Sequence, residues 1–169
     1  MTEAALGFSE WLQFMDTETR RWQTWFGQQS AVVFDVPVGA RDSDTATIRG
    51  MLIHIFFVEM VYGCLLVEET VVNYKDLPQR TPEEIFAIGE NARAKLKRFI
   101  QQTNADDLNK KLKLGDPSVA LYLQPSKRKA FAHTMLHSTR HWAQVATALR
   151  QHGYKQDWQH DFVFTDALP

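Results

Sequence analysis

The sequence predicts an all-α fold, a four-helix bundle with long connections after the first and third helices. Apolar residues recur at three- and four-residue spacing in four separate segments, and capping residues or helix breakers bound each segment. The chain has 169 residues, 44% of them hydrophobic and 23% charged, which is typical of one globular domain. We therefore treat residues 1–169 as a single helical domain.

The first predicted helix covers residues 5–29. Its bulky residues share one side of a helix; they are Phe8, Trp11, Leu12, Met15, Trp22, Trp25 and Phe26. The next stretch, SAVVFDVPVGARDSD, contains Pro37 and Gly39, which favour turns and interrupt helices. We expect the helix to stop before this stretch and a long connection to follow.

The second predicted helix begins near Ser43, Asp44 and Thr45, whose side chains can accept hydrogen bonds from the free amides at a helix start. Periodic apolar residues continue to about Val67. The longest apolar stretch, MLIHIFFVEMVYGCLLV, lies in this helix and is interrupted by His54, Glu59 and Gly63. These interruptions favour a buried bundle helix over a membrane span.

The third predicted helix begins with Thr81 as its N-cap and Pro82 in its first turn. Its buried stripe is made of apolar residues at helical spacing, namely Ile85, Ile88, Ala92, Leu96 and Ile100. Residues 104–125 combine helix-breaking residues with the β-leaning segment VALYL. We expect a long irregular connection there, with room for a short hairpin.

The last predicted helix begins after Ser126 and runs to Gln151 or His152, and Gly153 suits the left-handed position that follows a helix. The remaining tail, YKQDWQHDFVFTDALP, is aromatic enough to pack on the bundle. Four-helix bundles commonly build metal sites from side chains on facing helices.

Composition restricts the partners and the location that we expect. A net charge of -1 gives no concentrated positive field for nucleic acid or an anionic membrane. Cys64 is the single cysteine, which we interpret as a buried free thiol in a reducing compartment. The N-terminus, MTEAALGFSEW, lacks the basic start and apolar run of a secretory signal, so we predict a cytoplasmic location.

Three of the six histidines lie in the segment FAHTMLHSTRHWAQV, four residues apart, at positions 133, 137 and 141. Residues four apart on a helix differ by about 40 degrees, so His137 and His141 can converge on one ion. All three would span about 12 Å along the axis, too far to reach one metal together. At most two of them bind, and another ligand must come from elsewhere.

His54 is the natural candidate for that ligand. A helical wheel places it with Met51, Val58, Val61 and Leu65, which we take to be the core side of the second helix. An unpaired buried polar group costs about 1–3 kcal/mol, and either a metal or a protein oxygen would satisfy the ring. A satisfied core histidine at position 54 and a chance spacing in the last helix therefore remain open alternatives.

Residues beside the histidines support a site. Ala130 and Ala148 leave room next to His137, and Gln144 could hydrogen-bond a ligand histidine, a water or a substrate. Glu59 falls about 140 degrees from His54, so we expect an interhelical hydrogen bond or a surface position for it.

Other residues and motifs point away from a second site. His152 and His160 look solvent-facing, and we assign them no role. The sequence contains no HExxH motif, nucleophile elbow or glycine-rich phosphate loop.

The segments LIHIFFVE and AHTMLHSTRHWAQV, together with the order and lengths of the helices, resemble the DinB-like family of predicted metalloenzymes. This is the damage-inducible group, distinct from the DNA polymerase that shares its name. The family's terminal-helix pattern is H-x-x-x-H-x-x-x-H-R-G-Q. Trp142 and Ala143 stand where the family often has Arg and Gly, so this chain lacks that Arg, whereas Gln144 is kept.

The resemblance implies a three-histidine site of His54, His137 and His141, with His133 in a position that is usually not a ligand. It implies a divalent ion, zinc or nickel, with coordination positions open for water or substrate. Dimers are common among relatives, so it also implies a homodimer. The wider superfamily includes thiol-dependent transferases, which makes a low-molecular-weight thiol a candidate partner.

We carry three hypotheses. The first is a metal-dependent enzyme of the thiol-transferase kind, with a small-molecule substrate and with Gln144 supporting the ligands. The second is a non-catalytic metal-binding or structural dimer, a stress-response interaction module that exposed aromatic residues in the first helix or the tail would favour. The third is metal-assisted hydrolysis, in which water replaces the thiol.

Overall fold

The computed structural model describes residues 7–39, 43–79, 81–115 and 122–164. Four long helices form the body, and they are α1 (Phe8–Gly27), α2 (Ile48–Leu66), α3 (Pro82–Gln102) and α5 (Lys127–Gln151). A short helix, α4, covers Ala105–Asn109. Short 3-10 turns lie at Ala31–Asp35, Ser43–Thr45, Tyr74–Asp76 and Phe162–Phe164. The described ranges contain no named strand, and the predicted all-α bundle is confirmed.

The start of α2 differs from the prediction. Residues Ser43–Thr45 form a 3-10 turn, and Thr47 is the residue whose side chain accepts from the amide of Gly50, at 3.2 Å. The reason is backbone pairing, because Ile48 N donates to Val36 O at 2.9 Å and holds the chain extended up to the cap. The long connection after α1 is therefore tied directly to the first turn of α2.

Gly50 allows this connection to cross close to α2. A Cβ added at Gly50 would lie 2.1 Å from the backbone oxygen of Asp44, a separation that real side chains do not reach. Only glycine fits this close approach. The crossing fixes the first turn of α2, one turn before His54.

The connection after α3 is more ordered than predicted. It contains α4, whose cap Asn104 accepts from Asp107 N at 2.9 Å, a helix that sequence reasoning missed. Leu114 and Leu123 then exchange two backbone hydrogen bonds of 2.9 Å, as in the predicted hairpin. Residues 116–121, which would join them and include part of VALYL, lie outside the described residues.

Lys127 anchors the first turn of α5. Its side chain is only 6% exposed, and Nζ donates to Glu68 at 2.9 Å and to Asp107 at 3.1 Å. These bonds join α5 to α4 and to the end of α2. The other end of α5 stops as predicted, since Gly153 adopts a positive φ of 86°.

Helix α2 lies at the centre of the bundle and packs against α3 and α5. Its most buried side carries Leu52, Ile55 and Phe56, whereas Val58 and Val61 are only half-buried. The prediction that His54 lies on the core side is therefore wrong, because His54 shares the half-buried side that faces α5. Because α2 is apolar on all sides, a helical wheel does not identify which side of it is buried.

By length and composition α2 is also the one helix among the described residues that could cross a membrane, with a mean hydropathy of 1.6. Core helices of soluble bundles meet the same criteria, and 56% of that window is buried inside this protein. Packing against α3 and α5 accounts for its apolar character. Cys64 on this helix is a buried free thiol, as predicted.

Glu59 lies on the deep side of α2 and is 1% exposed. Its Oε1 accepts from Ser138 of α5 at 2.7 Å, and its Oε2 accepts from Arg93 of α3 at 3.4 Å. Arg93 also pairs with Asp16 of α1 at 3.0 Å. The interhelical hydrogen bond predicted for Glu59 is confirmed, and it belongs to a network that links all four long helices. Burial raises the pKa of Glu59, although the Arg93 cation and the Ser138 hydrogen bond lower it in part.

The tail packs on α1 and α5, as predicted. Trp158 Nε1 and His160 Nδ1 both donate to Oε1 of buried Glu18, at 2.9 and 2.6 Å. The ring of His160 stacks on Trp22 with centroids 5.1 Å apart, and Trp22 stacks on its other neighbour, Trp142, at 5.3 Å. The prediction that His160 faces solvent is wrong, because Glu18 supplies a buried partner that the sequence pattern does not reveal.

Candidate metal centre

Three imidazole rings meet between α2 and α5. Nε2 of His137 lies 3.2 Å from Nε2 of His54 and 3.2 Å from Nε2 of His141. One ligand atom from each ring lies within 4.8 Å of the other two. The structure therefore brings together His54, His137 and His141, the set of residues singled out from the sequence.

Helix geometry explains this convergence. His137 and His141 are one turn apart on α5, and their ring centroids are 4.4 Å apart. His54 comes from the facing helix, and its ring centroid lies 5.0 Å from each of them. The packing of α2 against α5 thus brings a distant residue of the chain to an i, i+4 pair.

The spacing of the nitrogens fits one metal ion. A tetrahedral ion with metal–nitrogen bonds of about 2.0–2.1 Å places neighbouring ligand nitrogens about 3.3–3.4 Å apart. The two 3.2 Å separations are close to this value. A shared cation is one way for all three lone pairs to be used at once.

Gln144 fixes the tautomer of His141. Its Oε1 accepts a hydrogen bond from Nδ1 of His141 at 2.5 Å. The proton is therefore on Nδ1, and the Nε2 lone pair points to the centre of the cluster. In metal sites, a hydrogen bond to the ring nitrogen that does not bind the metal orients the ligand histidine in this way.

His137 is held neutral. Burial, and then the repulsion that a protonated His137 would meet from positive charge on His141, His54, His133 and Arg140, lowers the pKa of His137 from 6.5 to about 3. Its Nδ1 is buried and has no hydrogen-bond partner, so Nε2 carries its polar interactions among the described residues. Burial also lowers the pKa of His141, although the Gln144 hydrogen bond raises it in part.

The structure separates His133 from the cluster. His133 is exposed, and its ring contacts Tyr62 with centroids 5.3 Å apart. Its centroid lies 5.7 Å from that of His137, on the side away from His141. The spacing argument that at most two of the three α5 histidines share one centre agrees with this placement.

Trp142 and Ala143 do not face the cluster. Trp142 is buried against Trp22. Trp142 and Ala143 border a small cavity of about 140 Å³, which Glu18 and His160 also line. The position where the family often has Arg therefore contributes to the core of this bundle.

Sequence reasoning missed Arg140. Its Nη2 lies 3.3 Å from Nε2 of His141, the atom that points to the centre of the cluster. The signal was available, since Arg140 directly precedes His141 in the sequence. A residue next to a ligand is rotated by about 100 degrees on the helix, and only its length lets the arginine side chain return to the site.

Comparisons with known proteins support the same fold. The profile of the DinB family matches residues 1–166 of the chain. No curated protein matches this chain. The solved structure of YfiT from Bacillus subtilis is similar, with a TM-score of 0.62 and 13% identity over 92% of this chain and 94% of YfiT. YfiT is described as a probable metal-dependent hydrolase with an unusual four-helix bundle topology.

Proposed function

This chain belongs to the DinB family, and on that premise we propose that it is a divalent-metal-dependent enzyme whose ion is held by His54, His137 and His141. The observation that carries the proposal is the convergence of three Nε2 atoms at 3.2 Å separations. Nothing in ordinary core packing requires three basic rings to share one point.

The chain's own residues prepare the site for a cation. Gln144 holds His141 in the tautomer that presents Nε2. His137, with a pKa of about 3, loses no proton when it becomes a ligand near neutral pH. A set of nitrogen donors without a carboxylate suits zinc or nickel, which we propose as the ions.

A divalent ion at this site would act as a Lewis acid that lowers the pKa of a water or thiol and so supplies a nucleophile near neutral pH. His54 is half-buried, and Arg140 and Gln144 beside the cluster are exposed, so we propose that small molecules reach the ion from this side. We propose metal-assisted hydrolysis first, since the structural relative YfiT is described as a probable hydrolase.

Thiol transfer is the second candidate. Three neutral imidazoles add no negative charge to the ion, and this favours an anionic ligand such as a thiolate. The wider superfamily to which the DinB family is similar includes thiol-dependent transferases, which supports the same reaction. Cys64 is buried on α2, so we propose that the thiol comes from a separate low-molecular-weight compound.

A non-catalytic dimer is the remaining candidate. Exposed aromatic residues in α1 would favour it, but Trp22 is 0% and Phe26 1% exposed. In the tail, Phe164 is 58% exposed, and this is the observation that favours an interaction module. The homodimer and the cytoplasmic location remain predictions.

Metal content tests the proposal. Protein purified without an affinity tag should contain or take up one equivalent of zinc or nickel, measured by elemental analysis. His137→Ala should abolish stoichiometric uptake, whereas His152→Ala, at the exposed end of α5, should not. Equal retention of metal by both variants would show that the three rings are not the ligands.

A thiol titration separates the candidate reactions. Metal-dependent binding of a common cellular thiol favours transfer, whereas ester hydrolysis that requires metal and no thiol favours the hydrolase. Failure of the wild type to take up metal favours the structural dimer, whose oligomeric state can be measured by light scattering.

A further inference from the structure

Arg140 is an exposed cation beside the histidine cluster. Its side chain is exposed on α5, and its Nη2 donates to the lone pair of His141 Nε2 at 3.3 Å. No carboxylate forms an ion pair with Arg140 within the part of the chain that the structure describes. The guanidinium therefore has capacity for an anionic partner from outside the protein.

The side chains grouped around His137 are basic in type. The rings of His54, His133 and His141 have centroids 5.0, 5.7 and 4.4 Å from its own, and Arg140 reaches His141. Glu59 lies across α2 and is already bonded to Ser138 and Arg93. Among the described residues, no carboxylate bonds to His137, His141 or Arg140, so a divalent cation beside the guanidinium would add positive charge to positive charge.

The guanidinium cannot keep its present contact in a loaded site. A metal ion uses the His141 Nε2 lone pair to which Nη2 now donates, so the two cations compete for one atom. The Cα of Arg140 is fixed on α5 directly before His141. Rotation of its side chain would move the charge away from Nε2 but would leave it beside the cluster.

We propose that Arg140 binds an oxyanion of the substrate, a carboxylate or a phosphate, and positions it beside the metal centre. This inference rests on the proposed function. A guanidinium presents donors in a planar fork that matches two oxygens of such a group, and it remains charged at any physiological pH. Arg140 is then a positioning residue that selects anionic substrates over neutral ones.

Three variants test this inference in cobalt-loaded protein. Arg140→Gln removes the charge, Arg140→Lys keeps it without the fork, and Arg150→Gln is the matched control on the same helix. Arg150 is also exposed, and it donates to Thr147 at 3.3 Å, remote from the cluster. Acetate and inorganic phosphate are titrated in turn, and the visible absorption band of cobalt reports their binding.

We expect Arg140→Gln to weaken the binding of at least one of these anions about 10-fold or more, in line with charge-assisted hydrogen bonds. Arg140→Lys should fall in between, and Arg150→Gln should match the wild type. Whichever probe shows the larger loss identifies carboxylate or phosphate as the recognised group. All variants should retain one equivalent of metal.

Equal anion affinity in the wild type and in Arg140→Gln, with full metal content in both, would overturn the role of Arg140 and leave the metal centre intact. If the wild type takes up no metal, the proposed function fails separately. In that case acetate and phosphate are titrated into the metal-free wild type and Arg140→Gln by calorimetry. Equal anion binding by the two proteins overturns the inference.

Discussion

Nδ1 of His141 donates to Oε1 of Gln144 at 2.5 Å, which makes Gln144 the residue that sets the direction of the His141 lone pair. The two residues are three apart on α5, so the same helical turn supplies both the ring and its support. The motif H-x-x-x-H-x-x-Q thus acquires a physical meaning in this fold.

Gln144→Ala should weaken metal binding by about 10- to 100-fold, the usual effect of removing the hydrogen-bond partner of a ligand histidine. Gln144→Glu should retain most of the affinity, because its carboxylate also accepts from Nδ1. Competition with a chelator measures both variants. Gln151→Ala, at the exposed end of α5, provides the control. Unchanged affinity in Gln144→Ala would mean that packing alone orients His141.

The metal-free protein should lose stability as the pH falls from about 6.5 toward 3, in part through His137. Its pKa is about 3 in the folded state, against 6.5 for an unperturbed histidine. In this window the unfolded chain binds more protons than the folded protein, so the free energy of unfolding decreases as the pH decreases. Above the window both states are neutral and the contribution is fully present.

Urea denaturation at a series of pH values measures this dependence. His137→Asn should flatten the slope relative to the wild type, because the residue that protonates on unfolding is gone. His152→Asn, exposed near the end of α5, should leave the slope unchanged. Identical slopes for His137→Asn and the wild type would contradict the assignment of a depressed pKa.

Glu59→Ala should destabilise the bundle by about 3 kcal/mol, the usual cost of removing one partner of a buried ion pair. Arg93 would lose one of its two carboxylate partners, and Ser138 would lose its acceptor. Urea denaturation measures the change. Glu90→Ala provides the matched control, since Glu90 is exposed and bonds only to half-buried Gln23 among the described residues, and it should cost less than about 0.5 kcal/mol.

Trp158→Ala should cost about 2 kcal/mol, less than a full core deletion because Trp158 is half-buried. The variant removes a donor to Glu18 and an edge-to-face contact with Trp22. A red shift of the tryptophan emission would report the exposure of Trp22 to water. Phe164→Ala, in the exposed part of the tail, should alter neither stability nor emission.

Local signals in the sequence account for most of the fold. The cap Thr81, the cap Ser126 and the terminal Gly153 act through neighbouring backbone groups, so the residue types suffice to place them. The same locality makes the i, i+4 relation of His137 and His141 visible in the sequence.

Features that depend on distant partners were not predicted. His160 looks exposed until Glu18, far away in the chain, is placed beneath it. The half-buried position of His54 depends on how α2 rotates between α3 and α5, and an apolar helix gives no pattern that fixes this rotation. Arg140 was missed because a helical wheel records the direction of Cβ and not the reach of a long side chain.

The cluster joins residues that are 83 positions apart, His54 and His137. A ribosome delivers α2 long before α5, and domains tend to acquire structure from their N-terminus onward during synthesis. Until the last helix has docked, His54 lies apart from the two histidines of α5. The ion would therefore bind late in biogenesis, after the bundle has folded. A nascent chain, or one that lacks α5, would not bind it at this site.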